Sequence, residues 1–451
     1  MAEPSSPASV SRRAGAAHAP AIRLLPARAN GAAPAAPPPT AWRAARLLHA
    51  PHRLAFTAGA LWLATSALWW AAALGARQLG LAVPWAVPSS AAHGLVMALS
   101  FMPLFMLGFL FTAGPRWLGQ PEVPARRLLA PVLAIGTGWG LVLVGVHVQA
   151  ALAAAGLAAA AGGWIAALAA YLRLVRTSPV PDRVHARLIG LASVLGALVM
   201  VAAALGVALA EWTLVRAATH AALWGFAAPV FAIVAHRMIP FFTAGVLPAL
   251  TAWRPFWLLG VMLSTLGIAA LGEAAQLLWW PLPRAAHAAL ALLLAPAAAL
   301  LLWLALRWGL VQSLGIRLLA MLHGGFLWLG VAVALAAASH ARVSLFGAAA
   351  SLGLAPLHAL TVGYLGASLV AMATRVVAGH SGRPLVADNT AWAIYGGVQA
   401  AALLRLLSAL WPAAGAATLL AAALAWAAGC VAWAWRYGGW LGRPRADGRA
   451  G

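Results

Sequence analysis

HGLVMALSFMPLFMLGFLFTA, residues 93–113, runs for 21 residues without a formal charge. As a helix rising about 1.5 Å per residue it is about 30 Å long, the thickness of a bilayer's hydrocarbon core. Ala92-His93-Gly94 opens it and Pro115-Arg116-Trp117 closes it. The same pattern extends along the chain in twelve apolar runs, at roughly 54–74, 93–113, 129–147, 151–171, 188–210, 217–235, 256–278, 285–306, 318–338, 350–374, 391–410 and 413–435. Only residues 148–150 separate the third run from the fourth. The chain is 64% hydrophobic and 8% charged, more apolar than a soluble core of 451 residues needs. The expected fold is an all-α polytopic membrane protein with twelve transmembrane helices.

All 29 basic residues are arginine. With twelve spans, 24 of them fall in the two tails and every second connection, and 4 (Arg77, Arg216, Arg284 and Arg342) on the opposite side. Arg405 lies inside a span. The positive-inside rule reads this asymmetry as both termini cytoplasmic. An odd span count would scramble the alternation. The net charge of +22 is spread over short loops, where it orients helices and meets anionic lipid. No basic, aromatic-interleaved soluble domain exists to bind nucleic acid, so the expected partner is the lipid bilayer and not nucleic acid. Cys430 is the single cysteine, which rules out an internal disulfide and a multi-cysteine metal site.

Residues 1–53 are rich in Ala, Pro and Arg and read as a disordered cytoplasmic tail without a signal peptide. His18, His49 and His52 belong to this tail or its edge. Residues 54–436 form the membrane domain, and 437–451 a short cytoplasmic tail. His93, His220 and His358 recur on the second, sixth and tenth runs, 127 and 138 residues apart, a spacing that raises the idea of three four-helix repeats.

Histidine in a lipid core is costly unless it faces the protein interior, pairs or binds something, and neutral imidazole is a common metal ligand. His220 and His358 each precede an arginine, Arg237 and Arg375, by 17 residues. That puts both roughly 25 Å from the cytoplasmic boundary, near the outer edge of the core. His93 opens its span in the same layer. His147, His287 and His340 also fall at outer helix ends and His185 in a cytoplasmic loop, where an interfacial role is the expectation. His236, His323 and His380 form an inner group, and His323 is flanked by Gly324 and Gly325. Carboxylates are nearly absent, with Glu211 and Glu273 at outer helix ends and none at mid-depth. That argues against an ion-coupled transporter. No phosphate loop, catalytic triad or carboxylate pair is present.

Leu357-His358-Ala359-Leu360-Thr361-Val362-Gly363, Met372-Ala373-Thr374-Arg375-Val376 and Gly379-His380-Ser381-Gly382-Arg383-Pro384-Leu385 resemble the signature of the NnrS family. Gly108-Phe109-Leu110-Phe111-Thr112-Ala113-Gly114-Pro115-Arg116-Trp117 resembles that family's other strong segment. The resemblance implies a haem- and copper-containing inner-membrane protein associated with nitric oxide stress and denitrification; it supplies no reaction. The second span also resembles its counterpart in haem–copper oxidases, where a His-Gly-x-x-Met element carries one axial ligand of a low-spin haem. Here His93, Gly94, Met97, Met102, Pro103, Gly108 and Phe109 match it. In those enzymes the other axial ligand comes from the tenth span, which here carries His358. They also place copper ligands on the sixth and seventh spans and two histidines on the tenth. This chain has His220 on the sixth, none on the seventh and His358 alone on the tenth.

These readings combine into an expectation. Haem b is held by His93 and His358, with His220 and His323 as further cofactor ligands. His220, His236, His323 and His380 are the candidates for copper or a second haem. Arg116, Arg237, Arg375 and Arg383 anchor the inner face or neutralise a bound anion. Nitric oxide or a related small molecule is the expected reactant; the electron donor is open, and so is whether the protein is an enzyme. The competing class is a multi-span carrier for a small solute or metal complex.

Overall fold

The computed structural model describes residues 41–449, apart from residues 251 and 280. Twelve helices are long and apolar enough to cross a membrane. They are α1 (Pro51–Gln78), α2 (Ser89–Trp117), α3 (Ala125–Val148), α4 (Ala150–Arg176), α5 (Val184–Ala208) and α6 (Trp212–Val246). The second half comprises α7 (Phe256–Leu278), α8 (Arg284–Arg307), α9 (Arg317–Phe346), α10 (Ala348–His380), α11 (Asn389–Leu410) and α12 (Gly415–Leu441). No strand occurs among the described residues. The bulk of the expected disordered tail, residues 1–40, lies outside the described residues. The end of that tail is ordered: Ala44–His49 form a 3-10 turn, and α1 starts at Pro51, three residues earlier than hydropathy alone placed it. Proline suits a first helical position because its missing N–H has no partner there anyway.

Helices adjacent in sequence pack as antiparallel pairs, most extensively α3 with α4, α8 with α9 and α11 with α12. Gln149 alone separates α3 from α4, its backbone extended at φ −159°. Such a tight hairpin needs small residues at its seam. A Cβ on Gly138 would sit 2.5 Å from the Gly156 carbonyl oxygen, so the two backbones touch where a side chain would have held them apart. α1 packs on both α2 and α12, closing the first span against the last.

The first and last spans are also tied at their ends. The Arg43 amide donates to Gly442 O, and the buried Arg53 guanidinium donates to Leu441 O (2.8 Å) and Arg443 O (2.9 Å). Residues 43 and 442 therefore share one face of the bundle, the terminal face; the other is the distal face. Carbonyls left unpaired at the end of α12 are satisfied by a charged donor from α1. This explains why Arg53, assigned by sequence to a solvated tail, is buried.

The spans divide by burial. α2 and α6 are the most interior, about 83% and 78% buried over their most apolar stretch, followed by α9 and α10; α8 and α11 are 28% buried. Peripheral spans show lipid-type side chains outward, among them Leu198, Leu292 and Leu403. Three of the four central spans are the ones that carry His93, His220 and His358.

Those three spans share a second property. Each leaves regular α-helix soon after its histidine. α2 breaks at Ser100 and Phe101 before resuming at Met102-Pro103. α6 passes into a π-helical turn at Ala222–Ala227, and α10 does so at Ala359–Gly366. A π turn wedges an extra residue into the helix and re-aims whatever precedes it, which is why such turns concentrate at functional sites.

Candidate functional site

A cavity of about 660 Å³ lies between α1, α2 and α6 to α12 toward the distal face. His93, His220 and His358 all line it, and so do His287 and His340. Its size falls within the roughly 300–1,000 Å³ of small-molecule and cofactor sites. The common depth read from the arginine spacing is matched by a common enclosure.

Each imidazole is held differently. His358 Nδ1 donates to Leu354 O at 2.9 Å, within its own first turn, which fixes the tautomer and leaves Nε2 with its lone pair. His93 stacks on Trp70, ring centroids 4.0 Å apart and planes 28° apart, and its Nδ1 is buried without a partner. His220 Nδ1 lies 3.0 Å from Glu273 Oε2, a carboxylate–histidine pair of the kind that orients metal ligands. Close approach of α2 and α6 makes the arrangement possible. A Cβ on Gly94, next to His93, would meet the Thr219 methyl, next to His220, at 3.2 Å.

His287 and His340 bond to each other through Nδ1 at 2.8 Å and are 2% and 7% exposed. They are not the interfacial side chains that their positions at helix ends implied. Their pairing comes from α8 and α9 packing as a hairpin, which sets residues 53 apart at one depth. His185 is likewise buried, not solvated: its Nε2 lies 3.1 Å from His236 Nδ1. His147 is engaged at both nitrogens, by the Trp69 indole N–H and by Pro84 O, each at 2.8 Å.

The other candidate ligands lie elsewhere. His236 donates through Nε2 to Pro255 O at 3.2 Å and so presents Nδ1 to His185. His323 is fully buried and donates through Nε2 to Thr243 Oγ1 at 2.9 Å, while its Nδ1 has no partner. His380 packs against His52, centroids 4.5 Å apart, and His52 is itself 3% exposed. None of these borders the large cavity. Among the described residues no group of three or more His, Cys, Asp and Glu side chains converges as a metal site.

The four arginines considered for an anion also stay out of the cavity. Arg116 pairs with exposed Glu122, and Arg237, Arg375 and Arg383 lie over the rings of Trp117, Phe242 and Trp440 at 4.7, 3.8 and 4.3 Å. The cavity instead takes Arg405, Arg77 and Arg216. Arg405 was visible in the sequence as the one arginine within a span. Glu273 and the His287–His340 pair gave no such signal, because their partners are other spans.

A twelve-span membrane protein with imidazoles from three separated spans around one interior cavity is the class that fold and site define. The chain matches the family model for NnrS protein over residues 46–445, and it belongs to the NnrS family. Membership fits a multi-span membrane protein related to nitric oxide stress. Comparison with curated proteins and with solved structures found no match.

Proposed function

We propose that this chain is a haem-binding protein of the bacterial inner membrane, with both termini cytoplasmic, acting in nitric oxide stress tolerance or denitrification. The observation that carries the reading is that His93 and His358, 265 residues apart in sequence, line one enclosed cavity, with His358 Nδ1 already committed to Leu354 O. That leaves the His358 Nε2 lone pair for a metal. The residues fit a porphyrin: the cavity is large, its walls are more apolar than polar, the polar groups include imidazoles and guanidiniums, and Trp70 supports the His93 ring by stacking. Bound b-type haem would supply an iron suited to electron transfer with two imidazoles, or to binding a small molecule with one position open.

The protein's own contribution is positional. Leu354 O sets the His358 tautomer, Trp70 restricts rotation of His93, and Glu273 orients His220 toward the same space. His220 is therefore the candidate for a second metal, copper included, that shares the haem's cavity.

Two measurements test the reading. A pyridine haemochrome assay with elemental analysis on purified protein should give haem and report any copper. Changing His93→Ala or His358→Ala should remove most of one haem's absorbance while the protein still inserts. Full haem content and an unchanged spectrum in both variants would sink the assignment. Purified protein lacking both haem and metal would favour the solute-carrier reading.

A further inference from the structure

Arg405 is the least expected residue in the cavity wall. It sits five residues before the end of α11, within the membrane-spanning stretch. Among the described residues it forms no salt bridge, and no hydrogen bond or ring contact involves it. It borders the same cavity as His93 and His358. An ionised group away from bulk water is retained only when something compensates it, and guanidinium does not escape by losing its proton.

The charge balance of the whole lining points the same way. Three guanidiniums, Arg77, Arg216 and Arg405, border the cavity against one carboxylate, Glu273, which is already bonded to His220. The surplus is two positive charges. Trp426, on the same wall, adds an indole N–H that is buried without an acceptor. A wall so provided with donors and short of acceptors is complementary to a ligand carrying two negative charges on oxygen.

We propose that Arg405 binds the carboxylate edge of the cavity's ligand, with Arg77 and Arg216 supporting it nearer the distal face. The inference rests on the haem reading above, under which the two carboxylates are the porphyrin's propionates. Guanidinium suits this role because its planar fork meets a carboxylate with two parallel hydrogen bonds. With haem bound, Arg405 of α11 would hold the carboxylates, while His93 of α2 and His358 of α10 would hold the iron.

The test compares wild-type protein with R405Q and R405M, and with R342Q as a control. Arg342 is on the same face and donates to Ala350 O, but does not border the cavity. Haem retained through detergent washing, the haem midpoint potential and the carboxylate region of the redox-difference infrared spectrum are read on each. Both neutral variants should hold haem roughly ten- to a hundredfold less tightly, the loss expected for a charge-assisted hydrogen bond. Their residual haem should titrate at a lower potential, because a nearby cation favours the reduced state, and the carboxylate band should shift. R342Q should match wild type in all three. R405M has an apolar side chain that is inexpensive to bury, so it carries the test if R405Q is poorly recovered. Haem retention, potential and carboxylate band all at wild-type values in either neutral variant would overturn the proposal. A haem-free wild type would instead overturn the haem reading. The Arg405 assignment then depends on whether nitrite or succinate raises the melting temperature of wild type but not of R405Q. Equal responses overturn it; a response only in wild type sustains anion binding with a free oxyanion as the source.

Discussion

At the scale of single residues, the paired histidines obey an accounting rule: a buried ring nitrogen is bonded, or something is needed to complete it. His147 illustrates the first case, with both nitrogens engaged within the protein. His340 and His287 satisfy one nitrogen each through the other. Replacing His340 by alanine should leave the His287 Nδ1 without its partner and cost about 1–3 kcal/mol of stability. Thermal unfolding in detergent measures that, and the double variant H287F/H340F should recover part of the loss. Equal stability of wild type and H340A would show that the pair contributes nothing. The Glu273–His220 pair makes a different prediction. Glu273→Gln keeps a hydrogen-bond acceptor but removes the charge, so metal bound at His220 should weaken about 10- to 100-fold while haem content stays the same. Metal analysis across a chelator series reads this, and unchanged metal retention would detach Glu273 from any ligand role.

At the scale of elements, the π turns of α6 and α10 are the features that set the azimuth of the histidines. Each begins within two residues of its histidine. Deleting one residue, Ala222 or Ala359, should let the turn relax to α-helix and rotate the preceding segment by about 100° relative to the rest. His220 or His358 would then leave the cavity although the composition of the span is unchanged. The expected outcome for the Ala359 deletion is normal membrane insertion with haem lost, read by haemochrome assay on protein of verified topology; retained haem would mean the π turn has no part in aiming His358. Helix ends supply a second prediction. Asp388 caps α11 by accepting from the Ala391 amide at 2.9 Å, and it also pairs with Arg436 of α12. The Ala391 amide and the Arg436 guanidinium hold its carboxyl below the usual range of about 3.9. A carboxyl depressed in the folded state stabilises above its unfolded value and loses that contribution as pH falls through the folded value. Acid unfolding should therefore gain a Asp388-dependent component below about pH 4, absent in D388N. The side chain is 54% exposed, so screening keeps the effect small.

At the scale of the whole molecule, the arginine distribution predicts orientation. Reporter fusions after Ser90 and Ser344 should read as periplasmic, and one after Pro179 as cytoplasmic; a cytoplasmic readout at Ser90 would reverse the faces. The bundle puts residues 43 and 442 on the same face, as an even span count requires. Span number, length and approximate limits were legible in the sequence because each depends only on local hydropathy and on helical rise. The observed helices overlap all twelve expected runs, and α7 has the expected limits. Depth was legible for the same reason, so His93, His220 and His358 could be assigned to one layer before their spans were seen to meet. What lay beyond the sequence was rotation about each helix axis and the choice of neighbours. The meeting of His287 with His340, of His185 with His236, and of Arg405 with an internal cavity depends on contacts between spans far apart in the chain. In an almost uniformly apolar sequence, hydropathy does not distinguish a protein-facing side from a lipid-facing one. Close glycine contacts and two π turns make that choice, and only the packed bundle reveals it.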